Sequence, residues 1–337
     1  MRTASYIGLL VGLVVVTLLV MWQGVAAIAG RFTAANWSLL AVAVFALPEI
    51  FFSAASWGQL FLPGRAPRFL ALMRGMWMGT AVNALLPVAT IGGEVVKVRQ
   101  LMSSRVPGVD AAASVVVDKT VQAISVLLWT LVGMVMLTIL APGDRLFAAA
   151  VIGSILLAAG IAGFIMVQRA GAFAALARFG ARLARHERWA GIVESAQGLD
   201  TTIKALYRRP GAITKSSLLR FCSRAVLALE VWLVAWLIGY PIGLAEAIMI
   251  KSLGMAVRSA AFVVPGGLGL QEGSYIVLGA LIGLPPDVML SVSLATRIRE
   301  LAEGIPGLIA WEHAEGRAFM RRRATLRQPT RAGLESD

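Results

Sequence analysis

The chain contains few of the residues on which metal and nucleophilic sites depend. It has one cysteine, Cys222, and two histidines, His186 and His313, in 337 residues. A single cysteine excludes an internal disulfide and a thiolate metal cluster, and both histidines lie in basic polar segments. We therefore expect no metal site.

Enzyme signatures are also missing. The sequence has no Walker A loop, no G-x-S-x-G elbow and no H-E-x-x-H pair. The glycine-rich run at residues 266–269 lies in an apolar stretch without a βαβ context, so it is not a dinucleotide fingerprint. We expect a protein that is not an enzyme and that holds no cofactor.

Charged residues are scarce and hydrophobic residues dominate. Only 15% of the residues are charged, 58% are hydrophobic, and the mean hydropathy is +0.78. Apolar runs of about twenty residues recur, as a hydrocarbon core of about 30 Å requires. The composition predicts an all-α, polytopic membrane helix bundle. The expected spans are Tyr6–Ala29, Trp37–Leu60, Ala111–Leu140, Leu146–Val167, Ser216–Ile238 and Val288–Trp311.

The net charge of +13 is concentrated in two places, Arg169–Lys215 and the tail after Trp311. Basic loops of membrane proteins stay on the cytoplasmic side, so this charge indicates topology rather than nucleic-acid binding. We expect a single transmembrane domain over residues 1–311, a basic cytoplasmic loop at 168–215 and a basic cytoplasmic tail at 312–337. Both termini are expected in the cytoplasm.

Two short segments interrupt the apolar sequence in the same way. Leu86–Glu94 and Val264–Glu272 each place a proline seven residues before a glutamate, with glycines between them. Proline lacks the N–H and glycine costs backbone entropy, so neither favours a continuous helix. Paired breaks in two halves of a membrane protein are typical of a transporter's binding site. The expected break residues are Pro87, Gly92, Gly93, Pro265, Gly266, Gly267 and Gly269.

The breaks predict two re-entrant helix–break–helix hairpins, at residues 69–103 and 244–283. With six spans, the charge rule opens the first hairpin to the cytoplasm and the second to the outside. Each hairpin leads into a span that begins near an aspartate, Asp110 or Asp287. The halves 69–140 and 244–311 are therefore expected to form an inverted repeat.

Ionisable residues inside apolar segments are costly and indicate function. Glu94 and Glu272 follow the breaks, where they either serve a polar substrate or simply begin a helix. Arg297 is the preferred phosphate ligand, because its planar fork binds such oxygens bidentately. Structural ion pairs and positive-inside anchors remain alternatives. The expected substrate-binding residues are Glu94, Lys97, Arg99, Asp118, Lys119, Lys251, Arg258, Glu272, Arg297 and Glu300.

Two further acids lie inside apolar segments. Glu49 follows Pro48 in the second expected span, and Glu230 lies in the span that begins at Ser216. Either could be the partner of Arg220 or Arg224, and the sequence does not distinguish the two assignments.

The break segments resemble a known family, the flippase-like transmembrane region of lysylphosphatidylglycerol synthases. The resemblance lies in Leu86–Arg99 and Pro265–Glu272, and within the family a subgroup associated with hopanoid biosynthesis looks most similar. It implies a bacterial inner-membrane protein whose partners are anionic or aminoacylated phospholipids, hopanoids and lipid-biosynthesis enzymes. The chain ends 26 residues after Trp311, so a stand-alone form without an aminoacyl-transferase domain is expected.

The expected function is translocation of a polar-headgroup lipid between leaflets, through a midplane cavity at the two broken helices. Two alternatives share the same sequence features. A secondary transporter would carry a small solute or ion, and a non-catalytic accessory protein would support hopanoid or lipid biosynthesis.

The inverted repeat makes a topological prediction. In a Cys222→Ser background, cysteines introduced at Pro107 and Gly243 should react with impermeant maleimide from opposite sides of the membrane. Labelling of both from the same side would contradict the inverted arrangement.

Overall fold

Helices make up the bundle, as the long apolar runs predict. This computed structural model describes residues 14, 17–22, 24, 29–32, 38–45, 47–86, 92–141, 144–171, 173–175, 189–260 and 267–327. Its helices are α1 (Leu39–Phe45), α2 (Leu47–Gly58), α3 (Phe69–Leu85), α4 (Gly92–Ser103), α5 (Gly108–Leu140), α6 (Asp144–Ala170), α7 (Trp189–Tyr207), α8 (Pro210–Leu237), α9 (Leu244–Ala260), α10 (Leu270–Leu281) and α11 (Pro286–Arg327). These residues contain no strand, so the all-α prediction is confirmed.

Proline, aspartate and glycine set several helix ends. Pro107 is the N-cap of α5, and Asp110 lies in its first turn, where the helix dipole favours a carboxylate. Asp287 has the same place in α11. Two residues beyond α8 and α10 lie Gly239 and Gly283, with φ of 79° and 74°. This left-handed conformation ends helices and is cheap for glycine.

Both expected helix–break–helix elements contain two helices, α3 with α4 and α9 with α10. Residues 87–91 and 261–266 of the two connections, with Pro87, Pro265 and Gly266, lie outside the described residues. Helices α4 and α10 have 12 residues each, which is about 18 Å at 1.5 Å per residue. They are too short to cross a hydrocarbon core of about 30 Å.

The expected break glycines that the structure describes lie at helix starts. Gly92 and Gly93 are the first residues of α4. Gly269 is the N-cap of α10, and Gly267 lies two residues before it. Both of the latter have positive φ, 79° at Gly269 and 62° at Gly267.

The long helices that follow the two pairs exchange partners. Helix α5 follows α3 and α4 but packs along α9, while α11 follows α9 and α10 but packs along α3. Helix α8 contacts α2, α5, α9 and α11. Each helix pair therefore packs against the long helix that follows the other pair.

Two apolar clusters hold the bundle together. One contains Trp57, Leu72 and Val117 and joins α2, α3, α4, α5 and α7. The other contains Met134 and Val231 and joins the later parts of α5 and α8 to α9, α10 and α11. The long helices α5 and α8 thus run from one end of the bundle to the other.

Large apolar side chains also face outwards. Exposed examples are Val44 on α1, Ile139 on α5, Met166 on α6, Leu218 on α8 and Ile305 on α11. Apolar surface spread over several helices marks an interaction with other apolar matter. In the described part of the chain, α5 is the helix that is long and apolar enough to cross a membrane, with a mean hydropathy of 2.4.

The other expected spans correspond to helices in part. Trp37–Leu60 contains α1 and α2, with Ala46 between them outside the described residues. Tyr6–Ala29 also lies largely outside them. Helix α11 continues past Trp311 to Arg327, so the first part of the expected tail is helical. Multiple crossings stay a prediction.

The start of α4 packs against α3 without space for a side chain. A Cβ on Gly93 would overlap the Gly79 carbonyl oxygen and the Asn83 side-chain amide. We expect Gly93→Ala to lower the free energy of unfolding by about 3 kcal/mol, as overpacked sites do. Thermal unfolding in detergent measures the change.

Gly163→Ala in α6 is the matched control. No atom lies within 4 Å of a Cβ placed there, and alanine favours a helix over glycine by up to about 1 kcal/mol. Equal melting temperatures for the two variants would contradict the tight crossing of α3 and α4.

Candidate functional site

A cavity lined by many charged side chains lies between the two helix pairs and the helices α2, α5, α8 and α11. Its volume is about 510 Å³, within the range of roughly 300–1,000 Å³ that small-molecule sites occupy. The charged lining residues are Glu49, Glu94, Lys97, Lys119, Arg220, Arg224, Lys251, Arg258, Arg299, Glu300 and Glu303. So much charge inside a largely apolar bundle requires compensation.

The first helix pair supplies an acid at the start of α4. Glu94 Oε2 lies 3.2 Å from Lys97 Nζ, and its Oε1 lies 2.7 Å from Lys119 Nζ on α5. The side chain of Asn83 on α3 donates to Glu94 Oε1 at 3.3 Å and accepts from the Gly93 N–H at 2.8 Å. These contacts fix the short helix against both neighbours.

Asp118 on α5 is fully buried behind the cavity wall. It forms ion pairs with Arg220 on α8 and with Lys97 on α4, the latter at 3.5 Å. Gln122 also donates to it, at 2.7 Å. One carboxylate therefore ties together α4, α5 and α8.

The second helix pair places its acid at the start of α10. Glu272 is fully buried; its Oε2 accepts the Gly269 N–H at 2.8 Å and its Oε1 lies 3.0 Å from Arg297 Nε on α11. Arg297 also pairs with Glu300 at 2.7 Å, and Glu300 pairs with Arg258 on α9 at 2.5 Å. Gln271 accepts from Arg258 at 2.8 Å.

Glu230 on α8 carries a further set of contacts. Its Oε1 lies 2.6 Å from Arg299 on α11, and its Oε2 lies 3.6 Å from Lys251 on α9. Arg299 reaches Glu303 as well, at 2.9 Å. This network joins α8, α9 and α11.

The two halves use the same spacing between acid and base. Glu94 pairs with Lys119, 25 residues later, and Glu272 pairs with Arg297, 25 residues later. In each half the glutamate lies in the first turn of the 12-residue helix. The base lies on the long helix that follows it.

The structure brings most of the expected site residues together. Glu94, Lys97, Lys119, Lys251, Arg258 and Glu300 line the cavity. Asp118, Glu272 and Arg297 are not among the described lining residues. Asp118 pairs with the lining residues Lys97 and Arg220, and Glu272 pairs with Arg297. Arg99 lies elsewhere, 55% exposed and 3.1 Å from Glu315. Whether each of them binds a substrate stays a prediction.

Helix α8 supplies site residues that the sequence analysis left unassigned. Arg220 pairs with Asp118, while Glu230 pairs with bases of α9 and α11. Glu49 and Arg224 line the cavity without an ion pair to any described residue. The sequence indicated these residues only by their position within apolar segments. Their partners could not be read from the sequence, because they depend on how the helices pack.

Comparisons with known proteins agree with a helical membrane protein. The family profile described as the lysylphosphatidylglycerol synthase TM region matches residues 9–305, which include both helix pairs and every charged residue that lines the cavity. The chain belongs to this family. No curated protein and no solved structure matches it significantly.

The buried contacts of Asp118 predict a large stability effect. Asp118→Asn removes the counter-charge of Arg220 and Lys97, and breaking a buried pair costs about 3–5 kcal/mol. We expect a clearly lower melting temperature in detergent.

Asp110→Asn on the same helix is the comparison. The Asp110 carboxylate is buried, but its partner Arg65 is 58% exposed. Water therefore screens this pair, and we expect it to contribute less than the fully buried pairs of Asp118, close to what surface pairs contribute, about 0–1 kcal/mol. A melting temperature of Asp118→Asn close to that of Asp110→Asn would show that the buried network is not required for stability.

Proposed function

We propose that this protein moves a polar-headgroup lipid between membrane leaflets, with the headgroup passing through the charged cavity. The observation that carries the proposal is a cavity of about 510 Å³ with a charged lining, inside a bundle whose helices expose apolar side chains to the outside. Membership of a family that is named after a phospholipid-modifying synthase supports a lipid substrate. The lipid tails would remain in the bilayer while the headgroup exchanges water for polar side chains.

The inverted repeat supplies the proposed mechanism. The equal spacing of Glu94 with Lys119 and Glu272 with Arg297 supports an equivalence of the two helix pairs, and so does the exchange of α5 and α11 between them. We propose that the pairs are re-entrant and open to opposite sides of the membrane. Repeats of this kind allow a site near the midplane to face each side in turn.

The membrane location and the topology are part of the same proposal. The chain is proposed to be a multi-pass protein of the bacterial inner membrane, with both termini in the cytoplasm, because its basic segments would then lie inside. Its role is transport without a catalysed reaction. Association with hopanoid or other lipid-biosynthesis enzymes is an extension that neighbouring genes would support.

Exchange of labelled lipids in proteoliposomes tests the proposal. Phospholipids carrying the fluorophore on an acyl chain are placed in both leaflets, and dithionite is added outside. With active protein the bleached fraction should rise beyond the outer-leaflet fraction, with time and protein content. Vesicles with protein that match protein-free vesicles for every headgroup would rule out the proposal.

Glu94→Gln tests the role of the cavity. The change leaves Lys97 and Lys119 without their shared acid, and we expect lipid exchange to fall at least about tenfold, equivalent to about 1.4 kcal/mol.

Glu315→Gln serves as the control, since Glu315 pairs with Arg99 away from the cavity. Equal exchange rates for the two variants would assign Glu94 to helix capping alone. Uptake of a water-soluble solute, with no lipid exchange, would favour the secondary-transporter alternative.

A further inference from the structure

Two of the charged residues that line the cavity form no ion pair with the described residues. Nine of the eleven charged lining residues form ion pairs, either with each other or with Asp118 and Glu230. The remaining two are Glu49 on α2 and Arg224 on α8. An acid and a base that line a cavity in an apolar bundle, with no ion pair to the described part of the chain, require an explanation.

Arg224 has unused hydrogen-bonding capacity. Its buried Nε has no hydrogen-bond partner, and the described residues offer the side chain no ion pair. Its charged surroundings include the bases Arg220 and Arg258 as well as acids. A planar guanidinium without an acidic partner among the described residues is suited to bind a phosphate with two parallel N–H···O bonds.

Glu49 has unused accepting capacity. Ser53, one turn later on α2, donates to its Oε1 at 2.8 Å, and its Oε2 has no partner among the described residues. Glu303 lines the same cavity but is paired with Arg299, whereas Glu49 has no base paired with it among the described residues. A protonated amine is the ligand that such a place favours.

Hydrogen bonds between α2 and α8 place the two residues at the same level. Arg209 donates to the Phe61 carbonyl at 2.5 Å, and Ser56 donates to the Ser216 carbonyl at 2.8 Å. As numbers rise along α8, they fall along α2, so the helices are antiparallel. From the serine contact, Glu49 lies seven residues along α2 and Arg224 lies eight along α8, which is about 11 Å and 12 Å.

Glu49 and Arg224 therefore face one cavity from adjacent helices at one height. Their charges interact, yet they are too far apart for a direct ion pair. A ligand that carries both a phosphate and an amine would lie between them and compensate both charges.

We propose that Glu49 and Arg224 form the headgroup site for a zwitterionic phospholipid, with the phosphate on Arg224 and the protonated amine on Glu49. Phosphatidylethanolamine has this chemistry, which a soluble phosphoethanolamine ester shares. The proposal rests on the proposed lipid translocation and names its substrate class. A purely anionic headgroup would satisfy Arg224 but leave Glu49 desolvated beside it, which is costly.

The test compares two lipids on the wild-type protein and on Glu49→Gln. Proteoliposomes of fixed host composition receive acyl-chain-labelled phosphatidylethanolamine or its N-acetylated form, which has lost the positive charge. We expect the wild type to exchange the amine form about tenfold faster, or about 1.4 kcal/mol. Glu49→Gln should remove this preference while still exchanging the acetylated lipid.

Arg224→Gln should slow both lipids, since each retains its phosphate. The matched controls are Glu194→Gln and Arg74→Gln, which change exposed residues outside the cavity and should leave the preference intact. If Glu49→Gln does not fold, Glu49→Asp replaces it as the test variant. Glu49→Asp keeps the negative charge and should keep the preference for phosphatidylethanolamine. The comparison of the two lipids on the wild type does not depend on either variant.

The outcomes separate the two proposals. No exchange of any lipid by the wild type would overturn translocation itself. Equal exchange of both lipids, or a preference that survives in Glu49→Gln, would overturn the zwitterion site and leave translocation standing. Uptake of glycerophosphoethanolamine without lipid exchange would assign the site to a soluble ester and overturn its assignment to a lipid.

Discussion

Compensation of buried charge is the constraint on which the arrangement of this bundle depends. A carboxylate or a guanidinium without a partner is expensive in an apolar interior, so each buried acid must meet a base from another helix. Asp118 joins α5 to α4 and α8, Glu230 joins α8 to α9 and α11, and Glu272 joins α10 to α11. These links run without a gap from the first helix pair to the second. A shift of one helix would therefore separate charges on its neighbours.

The same constraint makes the lining residues without an ion pair informative about a ligand. The network uses almost every acid and base at the cavity for contacts within the protein, so their abundance alone says little about a ligand. Glu49 and Arg224, on two packed helices, differ because neither forms an ion pair with any residue that the structure describes. Selectivity for a substrate in such a cavity would follow from the charged residues that the protein leaves unpaired, and not from the total number of charged residues. The lining bases Arg220 and Arg258, for example, are already neutralised by Asp118 and Glu300.

Much of the fold could be predicted from the sequence, because helix length and breaks are local properties. The 12-residue helices α4 and α10 follow the two proline–glycine segments as expected. The partners of the charged residues could not be predicted, since they depend on which helices meet. Arg297 shows the difference: its residue type suits a phosphate, but its side chain is held by Glu272 and Glu300. Arg224 has the same chemistry and no such partners.

The two acid–base pairs have the same spacing but different surroundings. Lys119 is 34% exposed and lines the cavity with Glu94, whereas Arg297 is 13% exposed and Glu272 is fully buried. A pocket that keeps one conformation would not need a second acid–base pair of the same spacing that is buried away from it. Under alternating access, the sealed pair is the one that would open when the cavity faces the other side, and Glu94 with Lys119 would then close. For the inverted repeat that we propose, an asymmetry between the two halves is what a single state of such a cycle requires.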